Sequence, residues 1–403
     1  VRPFDQQRIL LGVTGGIASY KSAWIARLLT QAGAEVDVVM TRAATEFVGA
    51  VTFEALTGRR VHTTLIEAGH ALDHIKLARA ADVVLVAPAT ADFLARAVHG
   101  HADDLLSACL LATTAPVVLA PAMNDQMWAH PAVQQNVHAA RALGYQVIDP
   151  DTGALAAGEG YGPGRMPEPE TLVAHLGRVL GMRDASSLRG LRVVVTAGPT
   201  REPVDPVRFL SNRSSGLMGV EIASAAWRRG ADVTLIAGPL EVPTPVGLHV
   251  VNVETTAHMR DAVRDALPSA DLLVMAAAPA DFTVSAPADR KLKKRERPDS
   301  LSLVSTDDIL LATRDVRRAG AVIIGFALET GNAVAEGTRK LHEKGLDLVV
   351  VNDATEPGAG FATPTNRVTL VDRDGRVEAL SLLPKREVAE IILDRAEERV
   401  RGR

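Results

Sequence analysis

Three clusters of this 403-residue chain combine residue types and spacings that chemistry can use. In "GVTGGIASYKSA", Gly15 and Gly16 fall between an apolar run and a segment of helical period, with Ser19 in that segment's first turn. Such a turn presents unpaired N–H groups and the positive end of a helix dipole, which suits a phosphate. A tight Gly-Gly turn with no ligand fits the same residues. "VMTRAA" and "VAPATAD" place Thr41, Thr90 and Asp92 at the ends of two further apolar runs, where open α/β sheets bind ligands. "GHALDHIKLARAAD" holds His70 and His74 at i, i+4 around Asp73, and "HGHADD" adds His99, His101, Asp103 and Asp104. On one helix face the histidine pair could hold a metal. Half of the set lies in a polar loop, so no metal is assigned. His74 reads either as a proton-transfer group or as a satisfied surface histidine.

The third cluster is basic. "DRKLKKRERPD", Asp289 to Asp299, holds six basic residues with no interleaved aromatics, in a chain whose net charge is −4. That balance argues against nucleic acid and leaves a solvated face or a clamp on a polyphosphate. "GTRKLHEKGLD" adds Lys340 and Lys344 at i, i+4 on one helix. Lysines from the two segments could neutralise a triphosphate and stabilise departing pyrophosphate. Gly198-Pro199-Thr200 and the stretch from Ser214 to Gly219 offer backbone donors to the same end, whereas a dinucleotide site would need a compact G-x-G-x-x-G that is missing here.

Strands and helices in alternation must position these residues. "RILLGVT", "EVDVVMT", "DVVLVAPA", "APVVLAPA" and "YQVIDP" are short apolar runs separated by Ala/Leu-rich helical segments. Runs with no polar alternation predict parallel sheets covered on both faces. The same grammar restarts with "LRVVVTAGPT", "DVTLIAG", "DLLVMAAA", "AVIIGFA" and "LDLVVVN". The expectation is α/β architecture with two doubly wound domains, over residues 1–183 and 191–403, joined by a linker at 184–190. One cysteine, Cys109, excludes an internal disulfide framework. With no run of eighteen apolar residues, the chain is expected to be soluble and cytoplasmic, without a membrane partner.

"GGIASYK", "DHIKLARAADVVLVAPATAD", "APAMN" and a glycine loop ending "GPGRM" occur in an order and spacing that resemble the homo-oligomeric flavin-containing cysteine decarboxylases, over about residues 8–179. The resemblance implies a flavodoxin-like, Rossmann-type fold and FMN as cofactor. Gly15, Gly16, Ser19, Thr41, Thr90 and Ser107 would hold its phosphate, ribityl chain or ring. His74 matches the catalytic histidine, and Asn124 the asparagine that contacts the substrate carboxylate. Flavin would oxidise a cysteine thiol to a thioaldehyde, an electron sink that lets CO₂ leave; re-reduction and a proton complete the reaction.

"AGPTREPVDPVRFLSNRSSG", "AAAPADF", "KLKK", "GFALET" and "VVVND" resemble phosphopantothenate–cysteine ligase over about residues 191–394. This implies that CTP with Mg²⁺ activates 4′-phosphopantothenate as an acyl-cytidylate, which cysteine then captures. By resemblance, Asn212 handles that intermediate and Lys291 is needed to form it. Ala277, Asp281 and Phe326 match nucleotide-site positions, and Lys340 and Lys344 match triphosphate contacts. "AAAPADF" carries one more residue than the commoner "AAVADF/Y", and "STDDI" replaces "KNPDI". Decarboxylase before ligase is the layout of bifunctional coenzyme A enzymes. The resemblance also implies trimeric contacts in the first half and dimeric contacts in the second, up to a dodecamer. An alternative keeps only the ligase active, with the first half an FMN-binding regulatory or assembly module.

The glycine loop, "TGALAAGEGYGPGRM", matches the family's substrate flap, with Gly153, Ala157, Gly158, Arg165 and Met166 at its motif positions. Glycines there permit closure and close backbone approach. The usual pattern is G-[ST]-x-A-C-G, and Ala157 stands where the proton-donating cysteine is expected. Glu159, Tyr161 or water is left as the donor. Cys109 lies in another segment and reads as a small buried hydrophobe.

Overall fold

Apolar runs without polar alternation become strands buried almost end to end, as in Arg8–Val13 and Val83–Ala89, and Glu35–Met40 is buried from Val36 onward despite Asp37. In the computed structural model, which describes residues 4–182, 188–293, 300–329, 331–353 and 363–402, the chain divides into two units, Val1–Arg183 and Asp184–Arg403. The first carries six parallel strands in the order Val61–His62, Glu35–Met40, Arg8–Val13, Val83–Ala89, Val117–Pro121, Gln146–Val147. On one face of the sheet, Ile25 and Leu29 of the helix Ser19–Gln31 pack with Leu172 and Leu176 of the helix Pro169–Gly181 against Ile9, Leu11 and Val38. On the other, Leu94, Leu106, Cys109 and Val137 cover Leu10, Val84 and Val86. Strand order reverses between Arg8–Val13 and Val83–Ala89, so the sheet opens for a ligand beyond their carboxyl ends, at Thr14–Gly16 and Thr90.

The second unit repeats that order with the parallel strands His249–Asn252, Asp232–Ala237, Arg192–Ala197, Leu272–Met275, Val322–Glu329 and Leu348–Asp353. It then departs from the all-parallel expectation, because Val368–Asp372 and Val377–Ala379 add antiparallel strands at one edge. A tight turn joins the last two strands to each other. Gly375 has φ 83°, and Asp372 Oδ1 accepts from the N–H groups of Asp374 and Arg376, a hairpin geometry that joins only antiparallel neighbours. Leu188 is fully buried and its carbonyl accepts from Leu191 N–H, so ordered packing of this unit includes Leu188.

Among the described residues, no helix is long and apolar enough to cross a membrane. The helix carrying His74 begins at Asp73. His70 therefore precedes it, and the two histidines do not share a helix face.

Candidate active sites

In the first unit the Gly-Gly turn is shaped by contact. A Cβ on Gly15 would lie 2.4 Å from Ala43 Cβ and 2.8 Å from its carbonyl carbon, so this position needs glycine. A Cβ on Gly16 would meet only Thr90 Cγ2 at 3.9 Å and would otherwise fill open space. That space is a cavity of about 400 Å³ whose walls include Gly15, Gly16, Thr90, Asn124, Leu155, Glu159, Arg165 and Met166. A neighbouring cavity of about 790 Å³ shares Gly15 and Thr90 and continues to Thr14, Thr41 and Arg42. Thr14, which no motif marked, ties the two strand ends together: its buried hydroxyl donates to Pro88 O at 2.7 Å and accepts from Thr90 N–H at 3.2 Å.

Two hydroxyls expected at the cofactor are bonded within the protein. Ser19 is fully buried, with Oγ 2.9 Å from Thr14 O and 2.6 Å from Gly16 O, and it lines neither cavity. It holds the shape of the turn. Ser107 is also buried, closing a capping box with Asp104 whose Oδ1 accepts Ser107 N–H at 2.8 Å. Thr41 and Thr90 do line the cavities, each as the N-cap of a following helix.

The glycine loop is an antiparallel hairpin of Asp151–Ala154 and Tyr161–Arg165. Gly164 lies at φ 137°, and a Cβ there would come within 2.2 Å of Met123 O. Its carbonyl accepts from Met123 N–H at 3.0 Å, so the hairpin's base is fastened beside Asn124. Buried Lys21 secures the next turn of chain, its Nζ donating to Met166 O at 2.9 Å and to Glu168 Oε1 at 3.2 Å. Ala154, Leu155, Ala156 and Glu159 face the cavity, whereas Ala157, Gly158 and Tyr161 do not line it, nor does buried Gly153.

His74 stands apart from all of these. It borders an apolar cavity of about 440 Å³ with Leu65, Ile66, Ala108 and Leu111, and its Nδ1 is buried without a hydrogen-bond partner. Cys109 lies beneath, its Sγ–H directed to His74 O at 3.6 Å; burial pushes the thiol up to about 12, which leaves it a poor acid. Asp73 faces two histidines, His70 Nδ1 at 2.8 Å and His62 Nδ1 at 3.5 Å. Among the described residues, no three His, Cys, Asp or Glu side chains converge as a metal-binding group.

The second unit gathers its candidates in one place. A cavity of about 400 Å³ is lined by Asn212, Ala277, Asp281, Phe326, Lys340 and Lys344. Asn212 Nδ2 donates to Ala278 O at 3.3 Å and Pro279 O at 2.8 Å, fixing the loop with the additional residue. Gly216, at φ 81°, opens the helix Leu217–Arg228 toward the same cavity. Lys340 pairs with Glu329 at 2.5 Å and Lys344 with Asp308 at 2.7 Å. Lys291 is exposed and does not line the cavity. Its neighbour Leu292 donates N–H to buried Asp205 at 3.2 Å. Burial alone would raise the Asp205 pKa; N–H donors from Val207, Leu292 and Arg208, with the Arg208 charge, bring it below the ordinary range. The rest of the basic run, 294–299, lies outside the described residues.

Residues 2–181 match the family described as Flavoprotein, and residues 188–400 match the DNA/pantothenate metabolism flavoprotein C-terminal domain. The chain is 45% identical over 402 residues to the coenzyme A biosynthesis bifunctional protein CoaBC of Mycolicibacterium smegmatis, covering 96% of this chain and 97% of that protein. It is 41% identical over 392 residues to the protein of the same name from Bacillus subtilis, covering 96% of each. The chain belongs to the CoaBC family of bifunctional coenzyme A biosynthesis proteins.

Membership in the CoaBC family decides between the sequence readings. Both halves match along nearly their whole length, which supports two activities, decarboxylase and ligase, over the ligase-only alternative. The open space at Gly16 beside a helix N-terminus fits a flavin phosphate, and the paired lysines fit a nucleotide triphosphate. Asn352, within the quoted "VVVND" motif but assigned no role there, also lines the ligase cavity, as do Lys385 and Asn366, which no motif marked.

Proposed function

We propose that the chain couples cysteine to 4′-phosphopantothenate using CTP and Mg²⁺, and then decarboxylates 4′-phosphopantothenoylcysteine to 4′-phosphopantetheine using FMN. The observation that carries this reading is the convergence of Asn212, Ala277, Asp281, Phe326, Lys340 and Lys344 on one cavity. Lys340 and Lys344 exchange their carboxylate partners for the triphosphate and stabilise pyrophosphate as it leaves. Asn212, held by the Ala278 and Pro279 carbonyls, positions the acyl-cytidylate, and Ala277, Asp281 and Phe326 frame the nucleotide. Lys291 contributes to that intermediate from the loop anchored at Asp205.

In the first half, the Gly15–Gly16 amides and the dipole of the helix Ser19–Gln31 hold the cofactor phosphate, while Thr41 and Thr90 line the adjoining space. FMN bound there supplies the two-electron oxidation and re-reduction that decarboxylation of a cysteine requires. Asn124 orients the substrate carboxylate, and the flap from Gly153 to Met166 covers it. Glu159 is the proton donor in place of the usual cysteine, because it lines the Asn124 cavity and Tyr161 does not. His74 acts on the thiol proton from a second copy of the chain in a cytoplasmic homo-oligomer, with trimeric contacts in this half and dimeric contacts in the ligase half, up to a dodecamer. The separation of His74 and Asn124 into different cavities supports that assembly.

The test is to incubate the full chain with 4′-phosphopantothenate, cysteine, CTP and Mg²⁺ and resolve products by mass. Successive appearance of the carboxylated adduct and of 4′-phosphopantetheine is expected. An absence of CTP-dependent pyrophosphate release would overturn the ligase reading, and an adduct that never loses CO₂ would overturn the decarboxylase reading.

A further inference from the structure

The exchange proposed for Lys344 leaves a charge behind. Asp308 Oδ2 is the partner from which Lys344 turns, at 2.7 Å, while Asp308 Oδ1 caps the short helix Ile309–Ala312 by accepting Leu311 N–H at 3.2 Å. That cap holds the carboxylate in place. Both residues line the ligase cavity. Once Lys344 faces the triphosphate, the Asp308 carboxylate is left beside a polyanion without its cation, and like charges at such range repel.

Arg317 stands where it can offset that charge. Its Nη1 donates to Lys344 O at 3.0 Å and to Gly345 O at 3.2 Å, at the carboxyl end of the helix Ala333–Lys344 that carries both lysines. Its Nη2 donates to Leu310 O at 2.5 Å, in the helix that Asp308 caps. One half-buried guanidinium therefore bridges the lysine's helix and the carboxylate's. Carbonyl oxygens carry no net charge, so these bonds fix the cation without neutralising it. Burial and the neighbouring Arg314 hold Arg317 below the ordinary guanidinium range, while Asp347 and Asp308 act against them. Of those two carboxylates, Asp347 has other company: it accepts Ile323 N–H at 2.9 Å and faces Arg373 at 3.6 Å. Asp308 is the one that loses its cation when a nucleotide binds.

We propose that Arg317 is a positioning residue of the ligase that acts through Asp308: fixed on three carbonyls, it supplies the countercharge that lets Lys344 leave Asp308 for the triphosphate. This rests on the ligase reading above. The backbones of Lys344 and Leu310 stay tied to one guanidinium throughout, so the lysine's ammonium moves while its helix does not.

The test follows CTP-dependent pyrophosphate release by the full chain. Arg317→Met is expected to lower kcat/KM for CTP about tenfold, within the range of coupled charged neighbours, and mainly through KM. Arg317→Lys, which keeps the charge, retains most of it. Asp308→Asn keeps an oxygen for the cap and removes the charge, so adding it to Arg317→Met raises kcat/KM several-fold more than adding it to wild type. A residue that merely capped the lysine's helix would give no such recovery. If Arg317→Met does not fold, Arg317→Gln, which can still donate to a carbonyl, takes its place with the same expectations. Unchanged kcat/KM for CTP in the folded neutral variant, an equal loss in Arg317→Lys, or no greater benefit of Asp308→Asn in the neutral background than in wild type would overturn the proposal. Failure of wild type to release pyrophosphate would instead overturn the ligase reading itself.

Discussion

The two halves share one strand order and open cavities at the same reversal of that order, yet they distribute their candidate residues differently. The ligase half brings six residues, from Asn212 to Lys344, onto one cavity within a single chain. The decarboxylase half divides its residues between a cavity at Gly16 and Asn124, an adjoining one at Thr41, and a third at His74. A cavity that gathers most of its candidates in one copy needs only Lys291 brought to it. One whose histidine lies elsewhere would, on the function proposed above, depend on a second copy and on the flap. Charge differs in the same direction: Lys340 and Lys344 wait in ion pairs, whereas His74 Nδ1 is buried with no partner.

The largest expected effect comes from breaking the preassembled side. Lys344→Ala removes one of two ammonium groups facing the departing pyrophosphate, and a transition-state donor of this kind is worth roughly 10²–10³ in rate. CTP-dependent pyrophosphate release should fall by that order, while decarboxylation of supplied 4′-phosphopantothenoylcysteine is unchanged. Equal loss of both activities would show that the halves are not independent. On the divided side, His74→Ala and Asn124→Ala should each slow decarboxylation by roughly 10²-fold. Dissociating and reassembling the two slowed variants together should restore part of the rate, because mixed oligomers regain contacts with both wild-type residues. No recovery in verified mixed oligomers would place His74 and Asn124 of the same copy in one working site.

This contrast also separates what was legible in the sequence from what was not. Strands buried on both faces leave continuous apolar runs, so both sheets could be read from Arg8–Val13 or Arg192–Ala197 directly. The antiparallel edge escaped because strand direction is set by how the chain returns to the sheet after Leu348–Asp353, and apolar content alone does not encode it. Among site residues, glycines were the most legible, since Gly15 and Gly164 are demanded by backbone contacts that no side chain tolerates. Hydroxyls were less so: a serine beside a turn serves a ligand or a cap equally well, and Ser19 and Ser107 both hydrogen-bond within the fold. Lys385 was invisible because one lysine at a helix start reads as solvated, whereas the fold buries it at the wall of a cavity that no local spacing encodes.

The smallest effects sharpen the contrast at the flap. Glu159 faces the Asn124 cavity from the turn where Ala157 does not, so Glu159→Gln should slow decarboxylation roughly 10²-fold, the lower range for a positioned general acid, without altering flavin absorbance or CTP consumption. Ala157→Cys alone should then change the rate only a few-fold, because two residues of one flexible hairpin would be supplying the same proton. In the Glu159→Gln background the same cysteine should recover most of the loss, since a thiol at the family's usual position substitutes for the missing carboxyl. The discriminating measurement is the rate of 4′-phosphopantetheine formation in the four proteins under single-turnover conditions. Additive effects, with Ala157→Cys stimulating wild type as strongly as it does Glu159→Gln, would mean that Glu159 is not the donor. The proton would then come from solvent entering beneath an incompletely closed flap, and the divided half of the molecule would depend on closure more than on any one of its acidic side chains.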